Sequence, residues 1–151
     1  MKGRIFLLLS VALILSGCDV RANLYLVQGP LSKQTPLPVF AARIKGFNGP
    51  GRDISVIYDG GEVLSGHWER MPGARDSKGK AGSPAADNLS AEWDSVYGPG
   101  YYVARILGNS YDRAILTGNK GTVLTVEIYG PEGLRGVAKD NRDNIYKLVF
   151  Y

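Results

Sequence analysis

The chain has one cysteine, Cys18, and one histidine, His67, in 151 residues. A lone cysteine excludes an internal disulfide, so the body has to hold by packing and hydrogen bonds. One histidine with no second thiol and no paired acidic motif beside it makes a poor metal site, and neither metal nor other cofactor is expected. A dominant charge is missing as well. The formal net charge of +4 includes Lys2 and Arg4 near the N-terminus, and without them it drops to +2. The remaining Lys and Arg are scattered, whereas a nucleic-acid surface gathers them into a patch or stripe, so nucleic acid is not an expected partner. No Gly-x-Ser-x-Gly elbow, Ser-x-x-Lys with its partner motifs, or His-Glu-x-x-His signature occurs. The longest apolar run, Ile5 to Leu15, covers 11 residues. As a helix it would reach only ~16 Å, against a hydrocarbon core of about 30 Å.

What is present begins with that run. Met1-Lys2-Gly3-Arg4 is a positive lead-in, Ile5–Leu15 an apolar centre, and Leu15-Ser16-Gly17-Cys18 a branched apolar residue, two small residues and a cysteine. This is the order of a secretory leader, and the last four residues resemble the lipobox of bacterial lipoproteins. The resemblance implies cleavage before Cys18, a diacylglyceryl thioether on its sulfur and, in many bacteria, a further acyl group on the new amino terminus. Two or more chains anchor a protein stably where one does not. Cys18 is then chemically occupied and cannot serve as a nucleophile. Asp19, the next residue, is by the same resemblance one that retains lipoproteins in the inner membrane, though Val20 is not one of the polar residues that reinforce retention. The expected location is the periplasmic side of the cell membrane, with the inner membrane favoured over the outer. Residues 1–17 are thus read as signal peptide, 18–38 as lipidated N-terminus and tether, and 39–151 as a single β domain. Within the tether Leu24-Tyr25-Leu26-Val27 is β-prone, while Pro30, Pro36 and Pro38 make the remainder extended and semi-stiff.

From Val39 onward short β-prone runs alternate with turn residues, predicting strands over 39–46, 53–58, 62–69, 101–107, 113–118, 122–129, 134–139 and 145–150. Ile54, Val56 and Tyr58 alternate with their neighbours at the period of a half-buried strand. Thr122–Ile128 is β-branched almost throughout. Asp59-Gly60-Gly61, Asn119-Lys120-Gly121 and Asp140-Asn141-Arg142-Asp143-Asn144 are hairpin chemistry. The fold class is mainly β: an antiparallel meander forming a small barrel or sandwich of about eight short strands. One short helix is expected near 90–97, because Leu89, Trp93, Val96 and Tyr97 share a helical face, with Ser90 as its cap and Gly98-Pro99-Gly100 as its stop. Residues 72–88, rich in small and charged residues and without periodicity, read as a surface loop. Its Arg75, Lys78 and Lys80 are offset by Asp76 and Asp87. Ala42–Gly46 recurs in Ala104–Gly108 and Gly61–Ser65 in Gly121–Thr125, a recurrence explained more simply by the small alphabet of hairpins than by duplication.

Few residues suggest chemistry. His67 could act as a general base, but a solvent-facing or structural role is favoured. Glu92 and Asp94 are read as the solvated edge of the helix. Asp140–Asn144 departs from a calcium loop at Arg142 and Ile145, leaving a turn. The body also resembles a family of small Gram-negative envelope lipoproteins without assigned function, on Leu24–Pro30, Asp59–Glu62 leading to Gly66-His67-Trp68, Trp93–Gly98, and Gly136–Asp140 with Ile145–Phe150. That resemblance transfers no catalytic residue. The chain is accordingly expected to be a membrane-anchored envelope lipoprotein and not an enzyme, a binding or structural module for an envelope protein or glycan. A ligand-holding, lipocalin-like barrel is the alternative, and a small hydrolase using His67 the less favoured one.

Overall fold

The computed structural model describes residues 19–46, 52–74, 88–130 and 133–151. Cys18, the rest of the leader and most of the 72–88 loop, including Arg75, Asp76, Lys78, Lys80 and Asp87, lie outside them.

Alternation along each strand sends one set of side chains inward and the other outward. Eight strands carry that pattern: β1 Val20–Gln28, β2 Val39–Lys45, β3 Asp53–Ile57, β4 Val63–Met71, β5 Tyr111–Thr117, β6 Val123–Tyr129, β7 Arg135–Asp140 and β8 Ile145–Phe150. Each pairs antiparallel with the next, and β1 also pairs with β8, so the meander closes into a barrel. Closure leaves no unpaired edge to template aggregation. An eight-strand barrel is just wide enough for side chains to fill it. Here Leu24, Ile44, Ile54, Val56, Leu64, Leu116, Leu124, Val126 and Leu148 do so, all buried in one cluster with Phe40, Tyr58, Trp68 and Tyr146. On β4, a Cβ on Gly66 would come 2.3 Å from the Ile115 carbonyl oxygen, so only glycine lets β5 lie that close.

Several expectations are corrected. The domain starts at Val20 rather than at residue 39: Val20–Tyr25 pairs with β2 and Ala22–Gln28 with β8, so much of the expected tether is barrel wall. Ala22 and Leu24 are buried inside it, and the prolines that suggested a tether fall in the β1–β2 connection. Residues 101–107, expected as a strand, instead form a π-helical turn, Tyr102–Ile106. It packs beside the helix α1, Ser90–Tyr97, which falls where its spacing predicts. Leu89, Trp93, Tyr102, Ile106, Tyr111 and Val137 form a second cluster on the outside of the barrel. Burying these aromatics outweighs the β propensity of Tyr101-Tyr102-Val103. The helix starts without a side-chain bond from Ser90, and the Ser90 amide instead donates to Asn88 Oδ1 at 3.0 Å. Ala42–Ile44 and Ala104–Ile106 thus lie in a strand and a helical turn, so the first recurrence is not a structural repeat.

Glu92 and Asp94 are not a solvated edge. Glu92 is buried and pairs with Lys139 at 2.9 Å, and Asp94 Oδ1 accepts from the Tyr102 amide at 2.8 Å, tying the π turn to α1. The second cluster also encloses Glu127, an outward residue of β6 with no exposure. It accepts from Trp93 Nε1 at 2.8 Å and from the Leu89 amide at 3.2 Å. Burial pushes the Glu127 carboxyl above its usual range, against the lowering effect of those bonds and of Arg113. The folded state therefore holds this proton more tightly than the unfolded chain. Its contribution to stability is present at low pH and is lost as pH rises from the ordinary carboxylate range through the raised value. Chemical denaturation of wild type and Glu127→Gln across pH 4–8 should show wild type losing ground to the variant as pH rises; a constant difference would contradict this. Trp93→Ala should cost about 3–5 kcal/mol in the same assay.

Candidate functional site

The two ends of the barrel differ in chemistry. At the far end, where β1–β2, β3–β4, β5–β6 and β7–β8 connect, the Asp140–Asn144 turn forms a seal. Asp140 accepts from the Tyr58 hydroxyl, from Asn144 Nδ2 at 2.8 Å, and from the Arg142 and Asn144 amides at 2.8 and 2.9 Å. The Tyr58 and Tyr146 hydroxyls meet at 2.5 Å. Asn144 Oδ1 accepts from the Leu31 amide at 2.9 Å, drawing the short turn Pro30–Lys33 across the opening. Burial alone would raise the Asp140 carboxyl, but the bonds from Tyr58, Asn144 and Arg142 outweigh it and hold it below the usual range. Burial and the Asp140 bond push the Tyr58 hydroxyl well up. The turn predicted here is thus the sealed floor of the barrel. Asp140→Ala would leave several buried donors without acceptors, and a loss of about 3 kcal/mol or more is expected in urea unfolding.

Asp19 and His67, two of the residues singled out for function, lie on the outer wall toward the other end, where Val20 enters; Cys18 lies outside the described residues. Asp19 binds Arg43, its Oδ2 accepting from Nε at 2.7 Å, so the residue after Cys18 is fastened to β2. Across β2 to β5 the outward residues fall into register: Arg43 opposite Ser55, Ser55 opposite Ser65, Ser65 opposite Thr117. One rung closer to the N-terminal end Lys45 faces Asp53 and Asp53 faces His67. These residues line an open groove of about 620 Å³ floored by Ile54, Gly66 and Ile115. Toward the far end the wall turns apolar, with Tyr25 opposite Val39 and Ile57 opposite Val63, all exposed.

His67 lies within this groove and has a carboxylate partner that its sequence neighbours did not reveal: Nδ1 meets Asp53 Oδ1 at 2.5 Å. The period of β4 turns His67 outward and Trp68 inward. The histidine side chain is 84% exposed and that of Asp53 49%, so the pair works in water, where charges are screened. Among the described residues no group of three His, Cys, Asp or Glu could hold a metal ion. No protein-family model, curated protein or solved structure matches the chain. His67→Ala should change folding stability by no more than about 0.5 kcal/mol in thermal or urea unfolding; a larger loss would show that the pair with Asp53 is structural.

Proposed function

We propose that this chain is a cell-envelope lipoprotein, anchored through acyl groups on Cys18, whose barrel is a non-catalytic binding module at the periplasmic membrane surface. The observation that carries the reading is the junction between leader and barrel. The lipobox-like Leu15-Ser16-Gly17-Cys18 ends one residue before Asp19, which is bound to Arg43, and two before β1 begins. An anchor there would hold the N-terminal end of the barrel against the bilayer, since each extended residue adds only ~3.3 Å. The polar groove and the apolar wall beside it then face sideways, where an envelope protein or glycan can reach them. Their exposure favours contact over chemistry.

The closed barrel agrees in fold with the lipocalin-like alternative. Its interior, however, carries its own side chains, with Leu24, Ile44, Val56, Leu64, Leu116 and Leu124 at 0% exposure, so a ligand inside would have to displace them. Growth with a labelled fatty acid tests the anchor. Label should enter the wild-type chain and be lost in Cys18→Ser, with wild type recovered in membranes. An unlabelled wild type, or a Cys18→Ser chain still processed and membrane-held, would contradict it.

A further inference from the structure

Among the described residues, the N-terminal end of the barrel has no polar seal like that of the far end. Three inward residues near it are charged, among apolar neighbours. Arg52 Nη2 donates to Asp112 Oδ1 at 2.5 Å, and Arg70 Nε approaches the same oxygen at 3.1 Å. Asp112 is buried at 5% exposure. Two guanidinium groups thus converge on one carboxylate, a local excess of one positive charge among the described residues at the mouth.

Two further N–H donors are stranded in the same corner. Trp68 faces inward between Gly66 and Arg70 on β4, opposite Ala114, and is 5% exposed. Its amide donates to the Arg52 carbonyl at 2.8 Å, which brings Arg52 alongside. Trp68 Nε1 and Arg52 Nε are both buried without a hydrogen-bond partner. Folded proteins rarely leave buried donors unpaired, because each orphan costs about 1–3 kcal/mol. The other indole is satisfied: Trp93 Nε1 reaches Glu127.

We propose that this corner binds an oxyanion, the phosphate group of a phosphate ester. The residual charge of Arg52 and Arg70 attracts it, and Arg52 Nε and Trp68 Nε1 supply the buried donors that recognise its oxygens. A planar carboxylate is matched by a single guanidinium fork; donors from three side chains, Arg52, Trp68 and Arg70, suit the non-coplanar oxygens of a tetrahedral phosphate, whether mono- or diester. The interior beneath is filled, with Ile54 and Leu64 at 1% and 0% exposure, so the anionic group would sit at the mouth and a long chain attached to it would stay outside the barrel. If the anchor proposed above holds, this mouth faces the bilayer and the ester is a phospholipid headgroup; the site itself does not require the anchor.

The two indoles make the test internally controlled. In ¹⁵N spectra of the full chain in maltoside micelles, Trp68→Phe identifies the Trp68 indole signal. Titration with sn-glycerol 3-phosphate, and separately doping of the micelles with phosphatidylglycerol or phosphate-free diacylglycerol, should move that signal saturably with either phosphate carrier. It should stay still with diacylglycerol, and the Trp93 signal should not move. Arg52→Gln should weaken the response at least tenfold; if that variant loses its dispersed spectrum, Arg70→Gln takes its place. A response to phosphatidylglycerol alone supports the site with lipid as its source, and one to glycerol phosphate alone supports it with a soluble ester. A Trp68 signal that ignores both, or that moves equally in wild type and the arginine variant, overturns the proposal. Fatty-acid labelling reads the anchor independently, so an unlipidated chain that still binds glycerol phosphate loses only the lipid as source.

Discussion

The hydrogen bonding of β1 to both β2 and β8 is the constraint on which the remaining architecture depends. Without it the sheet would be open, with two bare edges and an apolar face exposed to water. With it, Ala22 and Leu24 complete the interior, and the chain enters the wall at Val20. On the proposed anchoring through Cys18 this start matters: a barrel on a long tether would sample a wide volume, whereas one whose first strand begins two residues after the anchored residue would be confined in height and tilt.

Closure also creates two ends that solve different problems. The far end buries a carboxylate and surrounds it with donors from Tyr58, Asn144 and the turn backbone, so every group there has a use within the fold. The N-terminal end buries Asp112 beneath two arginines and leaves donors over. A fold satisfied at one end and not at the other marks the unsatisfied end as the place for a ligand. The outer aromatic cluster of α1 and the π turn belongs to stability: it encloses Trp93 and Glu127 against β6 and β7.

Much of the fold is legible in the amino-acid order. Period-two alternation and glycine- or asparagine-rich turns locate β2 to β8 within a few residues, with β5 the strand that begins at Tyr111, and the Leu89–Trp93–Val96–Tyr97 spacing locates α1. β1 is obscured by its C-terminal neighbours, since Pro30, Pro36 and Pro38 give the segment the look of a linker. Tyr101–Leu107 resembles a strand because local propensity cannot see a second core. Asp94, which holds the Tyr102 amide, lies eight positions earlier and has no strand-like signature. His67 is legible as a residue but its partner is not, because Asp53 meets it only through the β3–β4 register. Glu127 and the Arg52–Asp112–Arg70 corner are hidden for a related reason. A carboxylate at an outward strand position normally means solvent, and only the helix packed over β6 makes it buried. A lone charge on an inward face of β5, Asp112 in an otherwise alternating strand, is the available signal.

Amide hydrogen exchange along Val20–Gln28 tests the closure directly. If β1 is the eighth wall of a cooperative barrel, its bonded amides will be protected to the level of those in Val123–Tyr129, both opening only with global unfolding. Fast exchange throughout Val20–Gln28 beside a protected β6 would contradict that closure and return the segment to the role of a tether.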